Sequence, residues 1–291
     1  MPIRLEVEEM PSRSVLLAAQ NTDGGWGYFP GKQSWLEPTG WAALALHGHP
    51  ASERAYRLVR NWQASDGSCR PAAGVDSPHW TASLVVMLAA LRKDLPVMKR
   101  GVRHLLETMG SESGPFMRVL HYFDPNGTDR EPKFEGWPWR PGAAAWIEPT
   151  VHGITALRMA AALLPDVQLQ SRIASAQNLI WHQRCRGGGW NYGARVAREI
   201  PLPPYSETTA LALIGLLGRP GLAESIETAR TLELKQPSPL GGAWLSVSLR
   251  MHGAEAGHKP RESPNNDTMV AAIAEIGAPQ GNWRLLLGRT A

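Results

Sequence analysis

Three glutamates occupy the same place relative to an aromatic residue and a following helix signal. Glu37 and Glu148 each lie two residues after a tryptophan, and Glu207 lies two residues after Tyr205. A carboxylic acid buried among apolar groups keeps its proton near neutral pH, and aromatic faces stabilise a nearby cation. The pattern is therefore typical of acid catalysis that passes through a carbocation.

Each glutamate also has a structural interpretation, as the start of a helix. Pro38 and Pro149 follow Glu37 and Glu148, and proline is favoured where helices begin. A helix N-terminus stabilises a negative charge and lowers the pKa of a carboxyl group, which is unfavourable for an acid catalyst. Three copies favour the structural role, because a catalytic acid is needed once. Asp267, just before Thr268, is a fourth candidate acid.

Further candidates for substrate binding are aromatic or histidine residues at the same helix starts. Their alternative role is packing for the aromatic residues, and helix bridging or general base catalysis for the histidines. The six are Trp35, Trp80, Trp146, Tyr205, His79 and His152. A second set, Trp26, Trp137 and Trp190, is predicted to pack within the fold.

An internal repeat connects these residues. Trp26 and Trp137, like Glu37 and Glu148, are separated by 111 positions, and weaker copies begin near Gln63 and Gln183. Copies follow one another at roughly 40 to 60 residues, which in an all-α chain indicates two helices per unit.

The segments between the copies alternate in character. In 52–63 the apolar residues Ala55, Leu58, Val59 and Trp62 recur at helical spacing between charged residues, which predicts an outer helix with one face in water. The segments 81–91, 150–164 and 208–217 are apolar on nearly every side, which predicts inner helices. The alternation of one-sided and all-round apolar segments therefore predicts two layers of helices, an outer one and an inner one.

The repeat resembles a known motif. Leu16, Gln20, Gly24 and Trp26 fit the pattern L-x3-Q-x(n)-G-x-W, as do Leu179, Gln183, Gly188 and Trp190; this pattern is the core of the QW repeat of squalene-hopene and oxidosqualene cyclases. The chain thus resembles the terpenoid cyclase and protein prenyltransferase superfamily. The resemblance implies an all-α α/α toroid of about 10 to 12 helices, with an inner ring, an outer ring and a substrate cavity at one end.

The resemblance also bears on the chemistry. In the cyclases the acid is the central Asp of a D-x-D-D motif, which is absent here, and counting back from the matching Thr puts Glu37, Glu148 and Glu207 in its place. Neither Cys69 nor Cys185 lies in a recognisable copy of the zinc triad of the prenyltransferases. We therefore expect no metal and no cofactor.

Length and charge set the remaining expectations. The 291 residues are expected to form one toroid domain, 1–291, with a long loop over one rim at about 111–145, where prolines accumulate. The formal charge of +4 is dispersed, which excludes a nucleic-acid tract but favours anionic headgroups or a diphosphate. Two unpaired cysteines and the absence of an export or anchoring signal predict a cytoplasmic protein, with peripheral membrane contact as an addition.

The sequence therefore predicts a terpenoid cyclase-like protein that binds an isoprenoid or another apolar small molecule and cyclises or isomerises it by protonation. One alternative is a non-catalytic toroid that binds a lipid or a protein and has lost the acid motif. A third interpretation is a toroid that acts on a carbohydrate, for which two carboxylates must face each other at about 5 to 9.5 Å.

Overall fold

The computed structural model describes residues 11–77, 80–123, 131–192, 195–197, 200–235, 237–254 and 265–288. These residues contain twelve α-helices, two 3₁₀ helices and one short antiparallel strand pair, Val196–Ala197 with Ile200–Pro201. The α-helices, in chain order, are α1 Pro11–Ala18, α2 Leu36–Ala45, α3 Pro50–Arg60, α4 Ala82–Leu91, α5 Leu95–Glu107, α6 Pro115–Phe123, α7 Ile147–Ala161, α8 Val167–His182, α9 Ser206–Gly215, α10 Ala223–Leu234, α11 Pro239–Met251 and α12 Thr268–Gly277. The 3₁₀ helices are Ser111–Ser113 and Asn282–Leu287.

Six helices form a closed inner ring. In ring order, α2, α4, α7, α9, α11 and α12 each pack on the next, and α12 packs back on α2. Their sequences are apolar on nearly every side; α4, for example, buries nine of its ten residues. A helix of this kind needs protein on all sides, which a position between the ring interior and an outer layer provides.

Five further helices form the outer layer. The packed pairs are α1 on α12, α3 on α2, α5 on α4 and α8 on α7, while α10 packs on both α9 and α11. On α3, Ala55 and Val59 are buried whereas Glu53, Arg54 and Arg60 are exposed, as the helical spacing predicted. The inner and outer layers confirm the predicted all-α, α/α-toroid fold.

Tryptophans of the repeat fix the turn that enters each inner helix. The indole Nε1 of Trp137 donates to the carbonyl of Leu105 at 2.9 Å, and its backbone N–H donates to Oγ1 of Thr150 at 3.0 Å. Trp26 and Trp190 make the matching bonds to a preceding helix and a following threonine. All three indoles are buried, which confirms their predicted packing role.

One end of the ring is closed. Asn282, in the C-terminal 3₁₀ helix, donates to the carbonyls of Leu44 and Ala45 at the end of α2, at 3.2 and 2.9 Å. The same 3₁₀ helix packs on α7, α11 and α12. Arg158 donates to the carbonyls of Ile214 and Gly215 at the C-terminal end of α9. The inner helices thus end together on the covered side, and they begin on the other.

The segment expected to be a rim loop, 111–145, is only partly a loop. It contains a 3₁₀ turn and the nine-residue helix α6, and residues 124–130 lie outside the described part of the chain. Its prolines suggested a loop throughout, but Pro115 is the first residue of α6, where a missing N–H is tolerated, and no proline follows before Pro125. Residues 115–123 of the predicted loop are therefore helical.

Candidate active site at the mouth of the ring

Three carboxyl groups gather where the inner helices begin. Glu37, Glu148 and Glu207 are each the second residue of their helices, α2, α7 and α9. They lie close enough that the charges of Glu37 and Glu207 raise the pKa of Glu148, and the charge of Glu207 raises the pKa of Glu37. Each side chain remains half-buried, so solvent still reaches it. The three predicted acids therefore share one mouth.

Glu148 is the most strongly perturbed of the three. Burial raises its pKa well above the ordinary value of 4.5, and the charges of Glu37 and Glu207 raise it further. Within the described part of the chain, no group donates a hydrogen bond to its carboxyl. Burial and the two neighbouring charges therefore shift Glu148 toward its protonated form, the form in which a carboxyl group can act as an acid.

Glu37 differs through a tyrosine that the sequence analysis did not select. The phenol of Tyr28 donates a 2.5 Å hydrogen bond to Oε2 of Glu37. Burial still raises the pKa of Glu37, although this hydrogen bond acts in the opposite direction. Tyr28 is the repeat partner of Trp139, 111 positions away, and nothing in the repeat distinguishes it as a hydrogen-bond donor to Glu37.

Glu207 and Asp267 complete the acidic group. Burial raises the pKa of Glu207. Asp267 caps α12, because its Oδ1 accepts from the backbone N–H groups of Met269 and Val270 at 2.8 and 3.3 Å. Its charge also raises the pKa of Glu37, so it lies near the mouth while holding the start of a helix.

The sequence analysis expected a helix N-terminus to lower the pKa of each of the three glutamates, but the structure shows the opposite direction. All three glutamates have a raised pKa, and the loss of solvent on burial is the largest cause for each. The capping positions belong instead to Trp35, Trp146 and Tyr205, none of which makes a side-chain cap hydrogen bond. The three glutamates therefore follow the capping positions by two residues and are not themselves caps.

Aromatic side chains border the carboxyl groups. Trp146 is 36% exposed and Tyr205 is 46% exposed, whereas Trp35 is half-buried with its ring centroid 6.1 Å from that of Tyr28. Tyr192 adds a further exposed ring, 5.3 Å from Tyr205. Trp35, Trp146 and Tyr205 thus stand at the mouth, where a ligand can contact their faces.

Two other predicted contact residues lie deeper. Trp80 and His152 are both buried, and their rings stack with centroids 4.7 Å apart. They form part of the packed interior and are closed to solvent, and their role in substrate binding stays a prediction. Burial occurs because the ring interior is filled at their level. His79 lies outside the described residues.

His152 makes no hydrogen bond through either ring nitrogen. Its ring lies 5.1 Å from that of Trp41 and 6.2 Å from that of Trp244. Burial lowers the pKa of His152 to about 3, so the imidazole is neutral at physiological pH. The expected polar bridge between helices is therefore replaced by aromatic contacts.

Two further properties concern metals and membranes. Within the residues described, no group of three or more His, Cys, Asp and Glu side chains is arranged to hold a metal ion. None of the helices in that part of the chain has the length and apolar character needed to cross a bilayer.

No protein-family model and no curated protein matches the sequence. Solved structures do resemble the fold. The type II terpene cyclase MstE from Scytonema, without ligand, has a TM-score of 0.52 at 17% identity, over 90% of this chain and 74% of that chain. A variant of MstE in complex with its product, merosterolic acid A, gives a TM-score of 0.52 at 17% identity, over 90% and 76%.

A second kind of enzyme shares the architecture. A mannosidase of glycoside hydrolase family 76 from Bacteroides thetaiotaomicron has a TM-score of 0.52 at 11% identity, over 95% of this chain and 96% of that chain. At such low identities the likeness concerns the fold alone. The chain is an α/α toroid similar to those of a type II terpene cyclase and a family 76 mannosidase.

Proposed function

We propose that the protein binds an isoprenoid, or another apolar small molecule, at the mouth of the ring and protonates it from Glu148. The observation that carries the proposal is the Glu148 carboxyl, whose pKa is raised well above 4.5 and which accepts no hydrogen bond from any described residue. The fold likeness adds support, since MstE has been solved with geranylgeranyl dihydroxybenzoate as its substrate. No cofactor or metal takes part in this proposal.

The proposed reaction begins with transfer of the Glu148 proton to a carbon–carbon double bond. The π electrons form the new C–H bond, a carbocation remains on the neighbouring carbon, and Glu148 becomes a carboxylate. A second double bond of the same molecule then attacks the cation and closes a ring. Loss of a proton to a carboxylate at the mouth restores the charge balance, so the net change is an isomerisation.

In this proposal aromatic residues at the mouth stabilise the carbocation. The faces of Trp146 and Tyr205 are accessible beside the carboxyl groups, and an aromatic face attracts a cation. Trp35 supplies a third ring, beside Tyr28. The hydrogen bond from Tyr28 opposes part of the rise in the pKa of Glu37, and in this proposal Glu37 is the carboxyl group that accepts the proton released by the product.

The test is turnover of an isoprenoid panel from geranyl diphosphate to squalene. Glu148→Gln keeps the side-chain shape but removes the acidic proton, so turnover should fall by about 10²-fold or more. Glu107→Gln, on the exposed end of α5, is the control and should leave turnover unchanged. Full activity of Glu148→Gln would rule out Glu148 as the acid.

A non-catalytic toroid that binds lipid is the alternative, and α6 is the observation that favours a membrane partner. Five apolar side chains of α6 are exposed: Phe116, Val119, Leu120, Tyr122 and Phe123. A helix with such a face fits into the headgroup region of a bilayer. Isoprenoid binding without conversion, together with vesicle binding, would favour this alternative.

The position of α6 supports contact with a bilayer surface. Its preceding 3₁₀ turn bonds the segment that enters α7, because Ser111 N–H donates to the carbonyl of Ala143 at 3.0 Å and Ala145 N–H donates to the Glu112 carboxylate. α6 therefore follows a turn that is bonded to the segment entering α7, and we propose that its apolar face is presented on the mouth side, where a lipid-soluble substrate would arrive. We place the protein in the cytoplasm, peripheral to the membrane, in keeping with its two free, buried cysteines.

Glycoside hydrolysis is the second candidate function, favoured by the likeness to the mannosidase over nearly the whole chain. A glycosidase needs one protonated and one ionised carboxyl group. Glu148 and Glu37 would supply the two carboxyl groups, and they differ in that only Glu37 accepts a hydrogen bond, from Tyr28. Hydrolysis of manno-oligosaccharides by the protein, without conversion of any isoprenoid, would establish this function instead.

A further inference from the structure

We propose that Trp41, Trp244, His152 and Trp80 form an aromatic floor that sets the depth of the ligand site, so that the protein selects short-chain isoprenoids. This inference deepens the proposed function and rests on it. The four rings are contributed by three inner helices and by the turn that enters α4.

The geometry shows that the floor crosses the whole ring. Trp41, His152 and Trp244 belong to α2, α7 and α11, which are alternate members of the six-helix ring and do not neighbour one another. Their rings nevertheless touch, with centroids 5.0 Å apart for Trp41 and Trp244 and 5.1 Å apart for Trp41 and His152. Side chains from alternate helices can meet only at the centre of the ring, so the interior is filled at this level.

Trp80 extends the floor on the side of the mouth. Its ring stacks on His152 at an interplanar angle of 27° and meets Trp139 edge-on, with centroids 5.4 Å apart. The backbone N–H of Trp80 donates to the carbonyl of Trp139 at 3.3 Å, which ties the floor to the turn before α7. Trp139 lies in the turn that precedes α7, the helix on which Glu148 is the second residue.

The depth follows from helix spacing. Trp41 lies four residues after Glu37, and His152 lies four residues after Glu148, so each acid has a floor residue below it on the same helix face. One helical turn is about 5.4 Å, roughly the length of one isoprene unit. The end of a chain can therefore pass only about one unit below the acids before it meets the floor.

The floor is also chemically suited to a hydrocarbon end. Its four side chains present aromatic rings, and burial lowers the pKa of His152 to about 3, so that ring is neutral. The floor thus offers a ligand aromatic faces and no formal charge. The opposite end of the ring is covered by the C-terminal 3₁₀ helix, so a longer chain has no exit on that side.

The test compares geranyl, farnesyl and geranylgeranyl diphosphate as ligands, with affinity measured by calorimetry. Wild-type protein should bind the shorter two, and geranylgeranyl diphosphate at least about tenfold more weakly. Trp41→Leu and Trp244→Leu should each deepen the site and remove most of that difference. The control is Trp181→Leu, a tryptophan on the outer helix α8, which should keep the wild-type preference.

A second readout does not depend on isoprenoids. Trp41→Ala should create an apolar cavity at the ring centre that takes up xenon or benzene, as apolar cavities on the order of 150 Å³ do in proteins. Wild-type protein should take up neither at this place. Uptake by wild type at the ring centre would overturn the filled floor.

The outcomes separate the two proposals. If wild-type protein binds none of the three diphosphates or the parent alcohols, the proposed function fails. If it binds them and the chain-length preference is absent, or is the same in the floor variants and in wild type, the floor proposal alone is overturned.

Discussion

Glu148 and His152 lie one turn apart on the same face of α7, and burial drives both toward their uncharged forms. The pKa of Glu148 is raised and the pKa of His152 is lowered to about 3. A column without formal charge therefore runs from the mouth to the centre of the ring. Such a column suits an apolar ligand, and its two members should respond to pH in opposite directions.

Glu148 should make folding less favourable as the pH rises. Its pKa is about 4.5 in the unfolded chain and higher in the folded protein, so above pH 4.5 the folded state binds more protons. The free energy of unfolding then decreases with pH until the folded-state pKa is passed. Glu148→Gln is neutral at every pH, so its Tm should match wild type near pH 4.5 and exceed it by a few degrees at about pH 9.

The comparison is made by thermal unfolding across that pH range. Glu107→Gln, which removes an exposed carboxyl group, should differ from wild type by the same small amount at every pH. A Tm difference for Glu148→Gln that does not grow with pH would show that the Glu148 pKa is not raised.

His152 should give the opposite dependence. Its pKa is 6.5 in the unfolded chain and about 3 in the folded protein, so between these values the unfolded state binds more protons. The stabilising effect is complete above pH 6.5 and is lost as the pH falls toward 3, and such a shift corresponds to about 5 kcal/mol at most. His152→Phe, which keeps an aromatic ring, should resist acid better than wild type.

Acid unfolding followed by circular dichroism measures this effect. We expect the unfolding midpoint of His152→Phe to lie at lower pH than that of wild type. His182→Phe, which changes a half-buried histidine on the outer helix α8, is the control and should leave the midpoint in place. If the two variants behave alike, His152 is not the buried neutral histidine described above.

The sequence predicted much of the fold because the ring repeats one local pattern. Inner helices are apolar on all sides and outer helices on one, so the two layers could be read from composition and spacing. Because the glutamates follow the repeated turn, their position at a common end of the ring could also be predicted.

Other features of the site depend on contacts between distant segments. α2 and α11 are apolar on nearly every side, so periodicity does not identify Trp41 or Trp244 as the side chains that point toward the ring centre. The hydrogen bond of Tyr28 joins a loop to a helix, and no local signal predicts it. The rise in the pKa of Glu148 depends on how many neighbours exclude water, a tertiary property.

Thr150 should contribute more to stability than another buried threonine of the same helix. Its Oγ1 accepts the backbone N–H of Trp137, whereas Thr155 only donates to the carbonyl of Val151, which already belongs to the helix. Thr150→Val leaves a buried N–H without a partner, so the free energy of unfolding should fall by about 1–3 kcal/mol.

Thr155→Val makes the same change of hydroxyl to methyl at an equally buried site and should cost less than about 1 kcal/mol. Urea denaturation of the two variants provides the measurement. Equal losses would mean that the bond to the Trp137 backbone does not hold the turn.

The exposed face of α6 should determine membrane binding without affecting the fold. Phe116 and Phe123 are 76% and 78% exposed, so changing both to serine removes apolar surface that contacts no protein core. The free energy of unfolding should stay within about 0.5 kcal/mol of wild type. Binding to vesicles of phosphatidylcholine and phosphatidylglycerol, measured by co-sedimentation, should weaken at least about tenfold.

Val167→Ser is the matched control, because Val167 is 84% exposed but begins α8, directly after the end of α7 and away from the mouth. It should leave vesicle binding unchanged. If wild-type protein does not sediment with vesicles, or if the double variant binds as well as wild type, α6 is not a membrane contact. Loss of binding only in the α6 variant would instead place the acidic mouth beside the bilayer, where an isoprenoid could pass from lipid to Glu148 with little exposure to water.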